Sequence, residues 1–385
     1  MKQEQDMFLK KLFFFSFSIA FVHANAQKKN IPDSLRQTVW AARYHSGFVY
    51  AHNIHVQNTK GAHPNGFELE YSHQRTDSAT ISKFKCYPRT GFAFTYVDFN
   101  RAFLGSSYSL LYFLEPNYRL GNRLKMNLRA AAGLSYMTNP YDAEKNPENQ
   151  SYSGHINSFL QLGLGLSYPV SHHFAVYAMG NFFHNSNGGF EQPNAGLNYI
   201  NASFGLQYYT HSTKFPVYKK VRDTTWKQNS FHIDGSFYYS PKGGYSGTED
   251  DYKAVRKFVL GTSLQFVKQV GPIDALTATA EVYYDDGMRS IKHIFIQDSS
   301  SCMMAGILIG HQFLLNRFTF SQEFGIYISK HTKRYNEEYQ DLYHTTYQRW
   351  GLSYNIRKRW SVGINMLAHY QVADFIDGRA IYRFK

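Results

Sequence analysis

From residue 40 onward, apolar and polar residues alternate along much of the chain. Phe67-Glu68-Leu69-Glu70-Tyr71, Phe92-Ala93-Phe94-Thr95-Tyr96-Val97, Phe159-Leu160-Gln161-Leu162-Gly163-Leu164 and Tyr199-Ile200-Asn201-Ala202-Ser203-Phe204-Gly205-Leu206 carry it most clearly. A period of two places one class of side chain on each face of an extended strand. The pattern predicts eight strands between Trp40 and Thr210, near 40–50, 65–74, 89–99, 106–116, 122–136, 154–168, 172–184 and 195–210. Eight more are expected near 228–240, 252–269, 273–285, 301–314, 317–330, 340–356, 359–371 and 376–385. A tilted strand crosses a bilayer in roughly 9–11 residues, so these segments are long enough to span.

The connections sort by parity. Those after even-numbered strands are short: Pro169-Val170-Ser171, Gly271-Pro272, Asn316, Arg357-Lys358. Those after odd-numbered strands, such as Ala51 to Pro64, Asn139 to Ser153, Pro241 to Asp251 and Asp286 to Ser300, are longer and polar. Outer-membrane barrels begin on the periplasmic side and alternate short inner turns with long outer loops. One connection, Arg75 to Arg89, is long where the rule asks for a short turn.

Composition supports the same class. Aromatic residues make up 17 % of the chain, with 31 Tyr and 32 Phe, while mean hydropathy is only -0.45. A barrel produces that combination because its lumen is polar and its rims carry aromatic girdles. The expected fold is all-β, a transmembrane antiparallel barrel of about 14–16 strands closed as a single barrel. Lys10-Lys11, the apolar run Leu12 to Val22 and Ala24-Asn25-Ala26 form a secretory signal peptide over residues 1–26, cleaved before Gln27. Residues 27–212 then form the strand set carrying the candidate chemistry, and 213–385 supply further strands, joined by the basic segment Lys214 to Asp223. The net charge of +13 calls for an anionic partner. Export excludes nucleic acid and leaves phosphorylated membrane lipid. Cys86 and Cys302 fit no metal spacing and no disulfide framework, and alternation of strand direction puts them at opposite membrane faces.

The candidate chemistry sits where strand seven leaves the membrane: Phe182-Phe183-His184-Asn185-Ser186-Asn187-Gly188-Gly189 to Asn198. His184 and Ser186, two apart, share a face if the strand runs through them, which brings a base to a hydroxyl. Asn198 on the returning strand can hold the imidazole from its far side. Asn187 and the Gly188 backbone are then candidate oxyanion donors. A polar turn between two strands uses the same residue types.

His-x-Ser-Asn-Gly followed by Gln192-Pro193-Asn194-x-Gly196 resembles the active-site signature of the outer-membrane lipid A 3-O-deacylases, the PagL family, which includes acyloxyacyl hydrolases. The resemblance implies His184 as base, Ser186 as nucleophile and Asn187 as part of the oxyanion hole. At the position matching Asn198 the family carries Glu, so this chain departs there. An Asn can fix the imidazole tautomer but cannot balance imidazolium charge, and Cys–His–Asn enzymes work with such a third member. The implied activity is removal of an ester-linked acyl chain from lipid A in the outer membrane of a Gram-negative bacterium, with the site facing the outer leaflet. Lipid A or lipopolysaccharide is the expected partner, no metal or cofactor is required, and a homodimer is compatible with the sequence. A weaker similarity to outer-membrane phospholipase A, and a porin-like barrel with a degenerate motif, are the alternatives.

Elsewhere, His172-His173 is expected at an interfacial turn. Glu249-Asp250-Asp251 and Asp285-Asp286-Gly287 are candidate cation sites that match no established ligand spacing. The last strand, ending Ile381-Tyr382-Arg383-Phe384-Lys385, resembles the terminal strand by which outer-membrane barrels are recognised for assembly.

Overall fold

A computed structural model describes residues 36–52, 54–218, 224–247, 252–290, 302–328, 345–369 and 372–384. The signal peptide and Glu249-Asp250-Asp251 lie outside the described residues. Among the described residues, sixteen antiparallel strands follow the alternating segments. Strands β1 to β8 are Arg36–Val49, Asn65–Arg75, Tyr87–Asp98, Ser106–Arg119, Lys125–Met137, Ile156–Pro169, Phe174–Ser186 and Leu197–Tyr209. Strands β9 to β16 are Phe231–Gly247, Tyr252–Gln269, Asp274–Asp285, Met303–Leu315, Phe318–Tyr327, Thr346–Arg357, Trp360–His369 and Val372–Arg383.

The expected single barrel is corrected: the strands close as two barrels of eight, β1–β8 and β9–β16. Strand β8 returns to β1, from Val39 opposite Tyr209 to Val49 opposite Tyr199. Strand β16 returns to β9, from Gly378 opposite Tyr239 to Arg383 opposite Asp234. The physical reason lies in the inward-facing residues. An eight-strand barrel is just narrow enough for side chains to fill it, and these side chains meet across the lumen. In the first barrel Arg129 bonds Glu68 at 2.9 Å, Glu70 at 3.1 Å and Glu115 at 3.3 Å. Arg89 reaches Glu70 at 3.0 Å and Glu115 at 2.8 Å, and Arg43 joins Glu68 and Glu70. In the second, Arg349 bonds Glu281 at 2.9 Å and Asp377 at 2.6 Å. A sixteen-strand ring would hold these charges apart around a wide lumen, each short of its partners.

The opposite face of each strand is apolar and exposed, as in Leu160, Leu162, Leu164 and Leu166 on β6 and Phe174, Val176 and Phe182 on β7. Among the described residues no helix is long and apolar enough to cross a membrane, so the crossing belongs to the strands. The long connection between β2 and β3 holds a short helix, α1 (Ser78–Phe84). The Asp77 side chain caps it by accepting from the Thr80 N–H at 2.9 Å, and Lys85 ends it in the left-handed region at φ 58°. The exception to the loop-length rule is therefore an ordered element.

Pro241 to Gly247, expected as loop, continues β9 instead, paired with β10 as far as Gly247 opposite Tyr252. On its other edge β9 pairs with β16 only as far as Tyr239 opposite Gly378, which leaves the Gly243 backbone open on that side. The Gly243 N–H on that edge donates to Gly189 O of the first barrel at 2.7 Å. The second barrel thereby touches the segment that carries the candidate chemistry.

Candidate active site

His184 and Asn198 are directly opposed across the β7–β8 pair. Both belong to the outward-facing set of their strands: His184 is two residues on from Phe182 and Asn198 two before Ile200, and Phe182 and Ile200 are exposed on the barrel wall. The site therefore lies on the lipid-facing side of the first barrel near its rim, outside the lumen. His184 Nε2 is 2.9 Å from Ser186 Oγ, and Nδ1 is 2.5 Å from Asn198 Oδ1. The i, i+2 spacing brings the hydroxyl beside the base because β7 stays extended through Ser186. Ser186 and Asn198 are buried, and His184 is half-buried.

Two segments brace this row. From the β5–β6 connection, Gln150 O and Ser151 O accept the N–H groups of Ala195 and Gly196 at 3.1 and 2.9 Å. Within the β7–β8 loop, Asn194 Oδ1 accepts the Asn187 N–H at 3.0 Å and Asn187 Oδ1 accepts the Gly189 N–H at 3.0 Å.

Family profiles match along both barrels. Residues 34–207 match the family described as Lipid A 3-O-deacylase (PagL), and residues 229–385 match Acyloxyacyl hydrolase, C-terminal domain. The first barrel belongs to the PagL family, and the second matches that C-terminal domain. The chain is accordingly placed among hydrolases acting on a lipid A ester, in the outer membrane of a Gram-negative bacterium. Among solved structures it is similar to the outer-membrane enzyme PagL, with 15 % identity and a TM-score of 0.32, over 46 % of this chain and 99 % of that one. Neisserial surface protein A shows 12 % identity and a TM-score of 0.30, over 45 % and 96 %. The translocator domain of the autotransporter NalP from Neisseria meningitidis shows 9 % and 0.23, over 99 % and 96 %. No curated protein matches the chain.

Within this PagL-family site, the two expected oxyanion donors differ in what they already bind. Asn187 Nδ2 donates to Ser153 Oγ at 3.1 Å and to Glu191 O at 2.9 Å. The Gly188 N–H meets no acceptor among the described residues. The remaining candidates lie elsewhere. His173 bonds Tyr209 O at 2.8 Å, in the turn at the far end of the barrel. Asp285 is bonded by Lys242 at 2.8 Å, and the same ammonium reaches Asp374 at 2.6 Å. Cys86 and Cys302 are both free and buried.

Motif reading alone did not single out His52, which follows β1. Its Nδ1 is 3.0 Å from Asn198 Nδ2 and its Nε2 is 3.1 Å from Ala195 O. No sequence motif joins His52 to a residue 146 positions away. The available signal was topological: a barrel closed after eight strands sets the β1–β2 loop beside the start of β8.

Proposed function

We propose that this protein hydrolyses an ester-linked acyl chain of lipid A through a Ser186–His184–Asn198 mechanism at the outer leaflet. The observation that carries the reading is the continuous contact Asn198 Oδ1–His184–Ser186 Oγ, at 2.5 and 2.9 Å, on the lipid-facing wall. A lipid substrate reaches such a site without leaving the membrane. Below it the wall offers an open apolar groove along Leu128, Ala130, Leu162, Leu164, Gly180 and Phe182, which suits an acyl chain.

Ser186 Oγ attacks the acyl carbonyl while His184 Nε2 takes its proton. Asn198 accepts from the Nδ1–H, so the lone pair stays on Nε2. The Gly188 N–H is the open donor for the oxyanion, and Asn187 joins it when Nδ2 exchanges a loop contact for the developing charge. As the tetrahedral intermediate collapses, His184 returns the proton to the departing alcohol oxygen of the ester. The same imidazole then activates water against the acyl-enzyme, releasing the fatty acid and restoring Ser186. Burial of Ser186 and Asn198 keeps bulk water away and strengthens each polar contact.

Ser186→Ala tests the mechanism. The variant should show heat-modifiable gel mobility like the parent but no release of acyl chain from lipid A, followed by mass spectrometry. Retained turnover would remove Ser186 as nucleophile. Release of acyl chains from phospholipid, with lipid A untouched, would move the assignment to a phospholipase A. Intact lipid A and phospholipid with the parent protein would leave a barrel without esterase activity.

A further inference from the structure

The Ser–His–Asn reading leaves one question that a carboxylate in the third position never raises. A carboxylate accepts through either oxygen, whereas an amide has a wrong way round. With Nδ2 turned toward His184, Asn198 would donate to Nδ1 and force the proton onto Nε2, where it would block acceptance from Ser186. Something must set the amide.

We propose that His52 is a positioning residue that orients the Asn198 amide and so fixes the reactive tautomer of His184. The argument begins at a backbone carbonyl, whose role is not adjustable. Ala195 O can only accept, so His52 Nε2, 3.1 Å away, is the N–H nitrogen of that ring. In the neutral ring Nδ1 is then a lone pair, and the group 3.0 Å from it on Asn198 must be the amide NH2. Asn198 Oδ1 is left facing His184 Nδ1 at 2.5 Å, which is therefore protonated, and Nε2 is bare toward Ser186 Oγ at 2.9 Å. Each donor in the row is dictated by the one before it.

The fold holds both ends of this row. The Tyr50 N–H donates to Asn198 O at 2.8 Å, extending the β1–β8 pairing and setting His52 beside the amide. The Tyr50 ring stacks on the His52 ring at 6.5 Å. The Gly196 N–H, in the same planar peptide unit as the Ala195 carbonyl, is pinned by Ser151 O at 2.9 Å, so that carbonyl is a fixed reference. His52 touches neither Ser186 nor the oxyanion donors; it acts through Asn198 alone.

This inference rests on the Ser186–His184–Asn198 mechanism, and the test separates the two. Steady-state ester release from lipid A in detergent is compared for the parent, Ser186→Ala, His52→Leu and His52→Asn, and for His52→Leu combined with Asn198→Asp. Leu removes the acceptor while filling the space, and Asn restores an acceptor oxygen near the place of Nδ1. His52→Leu should lower kcat about ten- to a hundredfold with KM nearly unchanged, short of the roughly 10⁴-fold that a fully wrong tautomer costs. His52→Asn should recover most of the loss. In the Asn198→Asp background, where either oxygen accepts, adding His52→Leu should cost less than about threefold, the non-additivity expected of coupled residues. Parent-like kcat in His52→Leu, or an equal loss in both backgrounds, overturns the positioning role while leaving the mechanism standing. Turnover in Ser186→Ala overturns the mechanism itself.

Discussion

His184 and Asn198 face each other across one rung of the β7–β8 ladder, with Nδ1 and Oδ1 2.5 Å apart. Their relationship is set by strand register, so neither side chain has to reach for the other. Asn198→Ala should keep the barrel intact and reduce ester release by about 10²- to 10⁴-fold, since loss of an orienting acceptor leaves the tautomer free. Asn198→Asp, with the same length and a charge for the imidazolium, should retain activity or exceed the parent. Initial rates at matched amounts of folded protein decide the matter. An Ala variant as fast as the parent would put the orienting group on another residue.

Gly196 lies against the His184 imidazole. Its φ of 79° is in the left-handed region, and a Cβ there would stand 3.0 Å from His184 Cε1. Gly196→Ala should therefore displace the ring and cut kcat at least about tenfold, while the barrel still folds. Gly378→Ala, on β16 of the second barrel and away from the acyl groove, is the control: a Cβ there meets nothing within 4 Å. The control should match the parent in rate and in heat-modifiable mobility.

The lumen of the first barrel holds three guanidinium groups and three carboxylates in mutual contact. Arg129→Met deletes one cation that touches all three acids and leaves buried carboxylates undercompensated. Breaking such a buried set from one side costs about 3–5 kcal/mol. The temperature at which the heat-modifiable gel shift occurs should fall markedly, while ester release by protein that remains folded should persist. An unchanged transition would show that the acids are neutralised in another way.

Cys86, between β2 and β3, and Cys302, just ahead of β12, lie at opposite ends of their barrels and carry no bridge. Burial pushes the Cys86 thiol up to about 11, against a weaker lowering by the Tyr118 hydroxyl. A raised value means the thiolate is scarce at pH 8 and grows only as pH nears 11. Native protein should thus resist iodoacetamide at Cys86 at pH 8, and denatured, unreduced protein should take two alkyl groups by mass. A disulfide-linked Cys86–Cys302 peptide would contradict the strand directions.

The alternation of Phe67 to Tyr71 or Phe159 to Leu164 was enough to place strands, because a two-sided strand between lipid and a polar lumen must alternate. His184 and Ser186 were legible for the same reason, since two residues on an extended chain share a face whatever surrounds them. Their partner Asn198 was within reach too, because a hairpin sets its own register. Closure was not legible: the period of a strand carries no information on which distant edge it meets. A single ring of sixteen would set β1 beside β16 and carry His52 away from Asn198. Pairing of β1 with β8 from Val39 to Val49 instead brings the β1–β2 loop to the start of β8. That choice was made by inward residues far apart in the chain, Arg43, Arg89 and Arg129 against Glu68, Glu70 and Glu115, whose charges are compensated only across a narrow lumen. The Ser186–His184 contact is thus a local property of the sequence. The contact of His52 with the Asn198 amide is a property of the closed barrel, because only closure brings β1 against β8.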